Sequence, residues 1–229
     1  MIGGVHMVKL SFIVPTKNEH TTPGIIRDIY KVFGRDVEVI VIDKSDPDYR
    51  KPLYKTGAKI VIQKTGVYEH ALVEGFRLAH GDILAAIDPD GTYSVKDLKK
   101  IVDYLSRHTE YAYVGGDRLD CPEKAMPPSI KFGNRLFGLL ATVLMLQPMR
   151  DTFSGSFAMW RKPYNEIRGM EGYVGGPTIF QIALARKGFK VRCIPISYRE
   201  RVGSQPKISG MKQLFAFKLA FNMIVGRFS

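Results

Sequence analysis

The stretch Ile83-Leu84-Ala85-Ala86-Ile87-Asp88-Pro89-Asp90-Gly91 decides the fold of this chain. Its five apolar residues predict a strand covered on both faces, because such a strand shows no alternation of polar and apolar side chains. The strand ends in two carboxylates one residue apart, and open α/β sheets bind ligands beyond the carboxyl ends of their strands. Asp88 and Asp90 could therefore hold a hard divalent cation together with substrate phosphates. An acidic turn is the alternative, since Asp, Pro and Gly are common turn residues.

The composition indicates a folded protein with anionic partners. The chain has 229 residues, of which 45% are hydrophobic and 24% charged, enough for one α/β domain with its own core. The formal net charge of +12 favours nucleic acid, an anionic membrane surface or a phosphorylated substrate as partner. No nucleic-acid-binding motif accompanies this charge, so we do not expect nucleic acid to be the partner.

Cysteine usage and apolar runs bear on the compartment. Cys121 and Cys193 lack metal-ligand spacing and make no disulfide framework, so we expect a reducing cytosol. Residues 1–7 have no long apolar core, so we expect no signal peptide. The apolar run at residues 136–146 is shorter than the roughly 20 residues of a transmembrane helix. The sequence thus predicts a cytoplasmic protein without a membrane-spanning helix.

Strands and helices alternate along the first half of the chain, which predicts a mostly parallel, doubly wound α/β sheet flanked by helices. The predicted strands are residues 10–14, 37–42, 59–63, 83–87, 111–114, 157–160 and 189–196. The predicted helices are residues 22–33, 68–80, 129–146, 178–187 and 211–228, with one more that begins after Ser94. No linker separates two independent domains. We therefore predict one domain at residues 1–210 and an amphipathic helix at 211–229, which is part of that domain or a membrane-interface element.

Short motifs follow one another along the chain in a characteristic order. They are Ile13-Val14-Pro15-Thr16-Lys17-Asn18-Glu19, Val41-Ile42-Asp43, Ala79-His80-Gly81-Asp82-Ile83, Asp88-Pro89-Asp90, Gly116-Asp117-Arg118, Asp151-Thr152-Phe153-Ser154-Gly155, and Arg201-Val202-Gly203 before Lys207. In this order and spacing, residues 9–210 resemble the family 2 glycosyltransferases of the GT-A fold. Within them the chain is most similar to the dolichyl-phosphate mannosyltransferase and polyprenyl-phosphate glycosyltransferase branch. The resemblance implies a GT-A, Rossmann-like fold and an inverting hexosyltransferase.

The resemblance also implies a nucleotide-sugar site at the strand ends. Asp88 and Asp90 match the DxD motif, which holds Mg²⁺ or Mn²⁺ against the donor diphosphate and offsets the charge that develops on the leaving group. Thr92 stands where relatives often carry a further metal ligand. Arg201 and Lys207 match a basic loop that closes over the diphosphate. The residues that would border the nucleotide or its metal ion are Pro15, Lys17, Glu19, Asp43, Asp88, Asp90, Thr92, Arg201 and Lys207.

On the acceptor side, the resemblance implies a site for an anion. Arg118, Lys131 and Arg135 would face it, since cationic side chains suit phosphate and the planar guanidinium binds two of its oxygens at once. Asp151 and Ser154 would shape the pocket, although a structural turn explains them nearly as well. A phosphomonoester, with a second pKa of about 6, needs no strong general base. A hydroxyl acceptor would need a carboxylate, for which Asp151 is the candidate. The predicted catalytic residues are Asp90, Arg118 and Asp151.

Three departures from the family pattern concern the donor. Residues 43–46 read Asp-Lys-Ser-Asp, where relatives usually continue with a second acid, Gly and Ser, so the identity of the base stays open. Thr92 replaces a frequent Gln ligand and could ligate only weakly or through water. The closing loop reads Ser204-Gln205-Pro206-Lys207, one residue different from the usual spacing.

The leading hypothesis is an enzyme that moves mannose from GDP-mannose to a polyprenyl (dolichyl) phosphate. One alternative is a transferase that uses a UDP-sugar and a glycan or protein hydroxyl; another is a catalytically weakened nucleotide-sugar binding module. Because the lipid tail stays in the bilayer, residues 211–228 are predicted to lie on an anionic membrane at its cytoplasmic face, with residues 136–146 as a second contact. Core packing of both helices, or a homodimer contact of the C-terminal one, is the alternative.

Overall fold

A computed structural model of the protein describes residues 9–169 and 176–201. These residues are built on one seven-stranded sheet. The strands are β1 (Leu10–Thr16), β2 (Glu38–Asp43), β3 (Lys59–Ile62), β4 (Ile83–Ala86), β5 (Tyr111–Asp117), β6 (Phe157–Trp160) and β7 (Lys190–Pro195). The helices are α1 (Thr22–Phe33), α2 (Pro47–Arg50), α3 (Tyr68–Leu78), α4 (Val95–Arg107), α5 (Pro128–Met145), α6 (Arg161–Glu166) and α7 (Thr178–Arg186), and a 3₁₀ helix covers Lys51–Lys55. The predicted helix at 211–228 and Lys207 lie outside the described residues.

The strand order of the sheet is β3-β2-β1-β4-β6-β5-β7. β1 pairs in parallel with β2 and β4, β2 with β3, and β5 with β7. β6 lies between β4 and β5 and is antiparallel to both. The chain turns from one half of the sheet to the other between β1 and β4, which is where open α/β sheets bind ligands. The predicted mostly parallel sheet is confirmed, and its acidic strand lies at this switch point.

β4 is covered on both faces, as its uninterrupted apolar sequence predicts. Each of its four residues is at most 1% exposed. Leu84 and Ala86 pack with α3, α5 and α7, whereas Ile83 and Ala85 pack with α1 and α4. Successive side chains of a strand point to opposite faces of the sheet. A shift of one residue in the register of β4 would therefore move each of its side chains into the opposite core. The two cores therefore fix the point at which Asp88 and Asp90 leave the sheet.

Some boundaries differ from the predicted ones. β1 continues through Pro15 to Thr16, where the sequence predicts a stop. β4 pairs with β1 only as far as Ile13, so Pro15 lies beyond that ladder and its missing N–H removes no bond there. β5 runs on to Asp117 because β7 pairs with it to the end. Helices α2 and α6 are missing from the prediction because they have four and six residues, too few to show a helical period.

Candidate active site

Asp88 follows β4 and lies in surroundings that oppose its charge. The Tyr68 hydroxyl at the start of α3 donates a hydrogen bond to Asp88, with Oη 2.5 Å from Oδ1. Burial and the negative charge of Asp90 raise the pKa of Asp88 to about 7, and the Tyr68 bond and the charges of Arg118 and Arg201 offset this only in part. A cation bound between the two carboxylates would relieve both effects.

Asp90 is held in place by Thr92. The Thr92 backbone N–H and hydroxyl both donate to Asp90 Oδ1, over 3.1 and 2.6 Å. Gly91 has a φ of 82°, a left-handed conformation that glycine adopts without strain and that turns the chain between them. Within residues 9–169 and 176–201, no group of three or more His, Cys, Asp or Glu side chains is placed to hold a metal ion. The two carboxylates fit a Mg²⁺ or Mn²⁺ ion whose remaining ligands are substrate oxygens or water.

The segment that follows β7 crosses the ends of the other strands. Ser197 is attached to α4, since its backbone N–H and its hydroxyl both donate to Asp97 Oδ2. Two residues on, the Arg199 N–H donates to the carbonyl of Thr92 over 3.0 Å. These contacts bring Arg201, predicted to bind the diphosphate, to the loop that carries Asp90.

Arg201 connects the loops that follow β1 and β4. Its guanidinium forms an ion pair with Glu19, which is 6% exposed, and its NH1 lies 3.6 Å from Asp90 Oδ2. The Thr21 hydroxyl donates to the carbonyl of Pro89, which joins the same two loops again. The structure thus brings together three of the residues that sequence places at the nucleotide.

Arg118 and Asp151 form a buried ion pair. Asp151 Oδ2 accepts from the backbone N and Nε of Arg118 at 3.0 and 2.7 Å, and Oδ1 accepts from NH2 at 2.9 Å. Their side chains are 8% and 0% exposed. Arg118 NH1 donates to the Tyr93 hydroxyl over 2.9 Å, and the Tyr198 ring lies 5.1 Å from the guanidinium carbon. Both oxygens of Asp151 therefore hold Arg118, which favours an orienting role over that of a base.

The turn after Asp151 supports Asp88 from the other side. A Cβ atom on Gly155 would overlap the Asp88 carboxylate, so only glycine allows this approach. The Gly155 N–H donates to the Tyr93 hydroxyl over 2.7 Å. Ser154 is 1% exposed, and its hydroxyl lies 3.4 Å from the carbonyl of Ser156. Ser154 therefore fits the alternative that the sequence analysis left open, in which it is part of a structural turn.

Lys131 and Arg135 of α5 lie against the loop that follows β5. Lys131 Nζ donates to the carbonyl of Cys121. Arg135 NH2 donates to the carbonyl of Leu119 over 3.3 Å and lies 3.7 Å from Asp120 Oδ1. The structure therefore groups these two predicted acceptor residues on the loop that begins with Arg118.

Arg150 joins this basic group, although the sequence analysis does not single it out. Its Nε lies 3.0 Å from Asp117 Oδ2, and its NH2 lies 3.6 Å from Asp120 Oδ2. The backbone of Arg150 packs directly on α5, since a Cβ atom on Gly138 would overlap the Arg150 carbonyl. The signal available in the sequence is its position immediately before the Asp151 motif.

The predicted nucleotide residues at β1 and β2 occupy different surroundings. Pro15 is buried within β1, and Lys17 is exposed in the loop that follows. Asp43, at the end of β2, is fully buried. Its oxygens accept from the Ser45 backbone N–H at 3.0 Å and from Arg50 Nε at 2.5 Å. Asp43, predicted to border the nucleotide, is thus already bonded within the chain.

Three tyrosines complete the site and are absent from the sequence prediction. Tyr68 bonds to Asp88, Tyr93 bonds to Arg118 and Gly155, and the Tyr198 ring packs on Tyr93 with centroids 5.1 Å apart. Burial raises the pKa of Tyr68 and of Tyr93 well above 10, so both hydroxyls stay protonated and can donate. Only their nearness to the motifs could have indicated them.

With this geometry described, comparison with known proteins identifies the family. The model of glycosyl transferase family 2 matches residues 11–168, more than half of the chain. The chain belongs to this family. A dolichyl-phosphate hexose transferase of Haloferax volcanii is 29% identical over 195 residues, covering 85% of this chain and 84% of the relative. A dolichol-phosphate mannosyltransferase of Pyrococcus furiosus is 23% identical over 226 residues, covering 92% of this chain. The chain spans only 62% of that second relative's length.

Solved structures of other sugar-transferring synthases share the fold. Glucosyl-3-phosphoglycerate synthase from Mycobacterium tuberculosis, in complex with Mn²⁺, UDP and glucosyl-3-phosphoglycerate, matches with a TM-score of 0.69 at 17% identity, covering 96% of this chain and 80% of that one. Mannosyl-3-phosphoglycerate synthase from Rubrobacter xylanophilus matches with a TM-score of 0.67 at 14% identity, covering 96% and 74%. The predicted GT-A fold and the prediction of a hexose-transferring glycosyltransferase are confirmed.

Proposed function

We propose that this glycosyltransferase moves a hexose from a nucleoside diphosphate to a polyprenyl phosphate, with GDP-mannose as the first choice of donor. The observation that carries the proposal is the buried pair of Arg118 and Asp151 beside Asp88. Asp151, the candidate base for a hydroxyl acceptor, is bonded through both oxygens. A phosphate acceptor, already an anion near neutral pH, needs no such base. The similarity to the Haloferax dolichyl-phosphate hexose transferase supports the same acceptor.

On the donor side, Asp88 and Asp90 would hold Mg²⁺ or Mn²⁺ against the diphosphate. The bound ion would supply a charge that stabilises the departing nucleoside diphosphate. Arg201 lies beside Asp90 and Glu19, so a small movement would place it on the diphosphate. We assign Thr92 to hold Asp90, and Pro15, Lys17 and Glu19 to border the nucleoside. Lys207 remains part of the proposal from sequence alone.

On the acceptor side, a phosphate oxygen would attack the anomeric carbon opposite the leaving group. A new bond from C1 to that oxygen forms as the bond from C1 to the diphosphate breaks, and the nucleoside diphosphate leaves with the electron pair. Lys131 and Arg135 would attract the acceptor, and Arg118 would balance its charge near the reacting centre. Ser154 would shape the pocket through its turn. The chain's task is then positioning and charge balance.

A transfer assay tests this proposal. Purified protein with Mn²⁺ is given radiolabelled GDP-mannose, UDP-glucose or UDP-N-acetylglucosamine, each with a short-chain polyprenyl phosphate or the matching polyprenol. We expect label to enter the phosphate lipid and not the alcohol. Transfer only to hydroxyl acceptors would overturn the choice of acceptor. Nucleotide-sugar binding without transfer to either lipid would indicate the weakened binding module.

We further infer that α5 rests on an anionic membrane at its cytoplasmic face. Its large apolar side chains Phe132, Leu136, Leu139 and Val143 are 42% to 69% exposed and recur every three or four residues, on one side of the helix. Lys131 and Arg135 lie beside them, and each basic residue near an anionic surface adds about 1 kcal/mol of attraction. None of the helices among the described residues is long and apolar enough to cross a bilayer. An interfacial position would bury the stripe near the acceptor residues.

Vesicle flotation tests the membrane contact. Val143→Glu should weaken binding to vesicles of phosphatidylserine and phosphatidylcholine, and added salt should weaken the binding of the unchanged protein. Ile62→Glu is the matched control, because Ile62 is also an exposed large apolar residue, 47% exposed, on β3 away from α5. Removal of residues 211–229 measures how much the predicted C-terminal helix contributes to vesicle binding. A protein that ignores the vesicles and forms a dimer that Val143→Glu dissociates would show the stripe to be a homodimer contact.

A further inference from the structure

The carboxyl end of β2 presents a guanidinium to the surface instead of a carboxylate. Arg50 Nε bonds to Asp43 Oδ2 over 2.5 Å, and Arg50 NH2 donates to the carbonyl of Ser45 over 2.5 Å. The Asp43 side chain is 0% exposed, whereas that of Arg50 is 24% exposed. A guanidinium has five N–H donors, so these two bonds leave donors for a further partner. The polar group that β2 offers a ligand is therefore a hydrogen-bond donor.

The loops after β1 and β2 hold Arg50 in this position. Asn18 and Asp46 are joined by two hydrogen bonds of 2.8 Å each. The Asn18 side-chain amide donates to Asp46 Oδ2, and the Asp46 backbone N–H donates to Asn18 Oδ1. Asn18 has a φ of 53°, the left-handed conformation that asparagine tolerates better than most residues. The rings of His20 and Tyr49 lie 4.2 Å apart and add a second contact between the two loops. The two loops thus form one continuous rim.

The position of this rim relative to the acidic pair suits a nucleoside. β1 alone separates β2 from β4 in the sheet. Neighbouring strands lie about 4.8 Å apart, so the ends of β2 and β4 are about 10 Å from each other. A ribose and a base extend over a similar length from a diphosphate bound at Asp88 and Asp90. Arg50 therefore lies where the base of a bound nucleotide would end.

We infer that Arg50 reads the donor base by donating hydrogen bonds to its edge, an inference that rests on the proposed function. Guanine presents two adjacent acceptors, O6 and N7, which one guanidinium can bind together. The comparable edge of uracil presents a single carbonyl oxygen. Arg50 thus selects a guanine nucleotide, although Lys44 replaces the second acid that is frequent in the family. Asp43 acts through Arg50 and orients it.

Calorimetric titrations in Mn²⁺ test this role with GDP, UDP and 7-deaza-GDP, which lacks the N7 acceptor. The unchanged protein should bind GDP about tenfold or more tightly than either other nucleotide. Arg50→Lys keeps a positive charge beside Asp43 but loses the planar fork, so it should bind all three with similar affinity. Lys51→Ala is the matched control, because it removes a neighbouring cation, which pairs with Asp48, and should keep the preference for GDP.

The outcomes distinguish a failure of this inference from a failure of the proposed function. Equal affinity of the unchanged protein for GDP and 7-deaza-GDP, or a preference for UDP, would overturn the role of Arg50. An undiminished preference for GDP in Arg50→Lys would also overturn it, while the proposed function would stand. If no nucleoside diphosphate binds in Mn²⁺, the proposed function fails and the inference fails with it. Thermal unfolding of Arg50→Lys checks that the variant is folded.

Discussion

The sheet has two edges formed by strand ends, one where β1 and β2 begin and one where the parallel strands end. These two edges carry partly buried acids in opposite electrostatic conditions. Where β1 and β2 begin, Glu38 accepts from the Ser11 hydroxyl at 2.5 Å and from the His80 backbone N–H at 2.7 Å, and its other oxygen lies 2.9 Å from His80 Nδ1. Burial opposes the charge of Glu38, but these hydrogen bonds outweigh burial and lower its pKa. Where the strands end, burial and Asp90 raise the pKa of Asp88 to about 7.

The difference indicates which edge is suited to a ligand. The chain itself satisfies Glu38, and the result is a contact that joins β1, β2 and the loop before β4. At the other edge the chain places Asp88 next to a second acid, although apolar residues could have filled the space at no electrostatic cost. A pair of acids pushed away from its ordinary pKa in this way is typical of functional sites. Under the proposed function, a bound cation and diphosphate would offset this cost in stability.

The largest expected effect distinguishes the two edges by catalysis. Asp90→Ala removes one of the two carboxylates for the metal ion, so the rate of sugar transfer should fall by about 10³-fold or more. Glu38→Gln, at the opposite edge, should leave kcat unchanged in the folded protein. Steady-state transfer at saturating Mn²⁺ measures both, with circular dichroism as the check on folding. Full activity of Asp90→Ala would show that the acidic pair is only a turn.

The next effect concerns stability at the ligand edge. Arg118→Ala leaves Asp151 buried without its partner and should lower the free energy of unfolding by about 3–5 kcal/mol. Urea unfolding measures this change. The double variant Arg118→Met with Asp151→Leu should lose less than Arg118→Ala alone, because no unpaired charge stays buried. A loss below about 1 kcal/mol in Arg118→Ala would mean that water reaches the pair and that the site is more open than described.

Sequence predicts the ligand edge better than it predicts the contacts there. The apolar run of β4 and the two following acids are adjacent in the chain, so their position at the switch point follows from strand burial and alternation. The pairing of Arg118 with Asp151 joins residues 33 positions apart, and that of Arg201 with Glu19 spans 182 positions. No local pattern encodes such distances. The family motifs identified these residues, but they did not identify their partners.

The tyrosines and Arg50 also could not be predicted from local sequence patterns. Tyr68 reaches Asp88 from the first turn of α3, and its sequence surroundings resemble an ordinary helix start. Arg50 lies in a four-residue helix whose length hides its period. The family resemblance predicts that Asp43 borders the nucleotide, and only the fold shows that Arg50 is bonded to it. Groups that support a site from a neighbouring element are therefore found by structure alone.

A smaller effect, with opposite signs at the two edges, sharpens the comparison. Asp88→Asn keeps an oxygen for the Tyr68 hydroxyl and removes an unfavourable charge, so it should stabilise the metal-free protein at pH 7.5 by about 1–3 kcal/mol. Glu38→Gln loses a charge-assisted acceptor and should destabilise the protein by about 1–2 kcal/mol. Urea unfolding in EDTA measures both. If both variants are destabilised, the aspartate pair contributes to stability and the contrast between the edges fails.

The last prediction separates the two acids by pH. The folded state binds the Asp88 proton more tightly than the unfolded state, so this residue makes the free energy of unfolding fall as pH rises from about 4 to about 7. Glu38, whose pKa is lowered on folding, acts in the opposite sense: its contribution is present above about 4.5 and is lost as pH falls below that value. Each group changes stability by at most about 1.4 kcal/mol per pH unit. Urea unfolding in EDTA, at half-unit steps from pH 3.5 to 8, measures the two slopes. Asp88→Asn should abolish the fall in the free energy of unfolding between about pH 4 and 7 and keep the loss of stability below about pH 4.5. Glu38→Gln should reduce only that loss at low pH. A slope above pH 5 that survives Asp88→Asn would place the raised pKa on another group, and Asp117, whose pKa burial also raises, would be the next to replace.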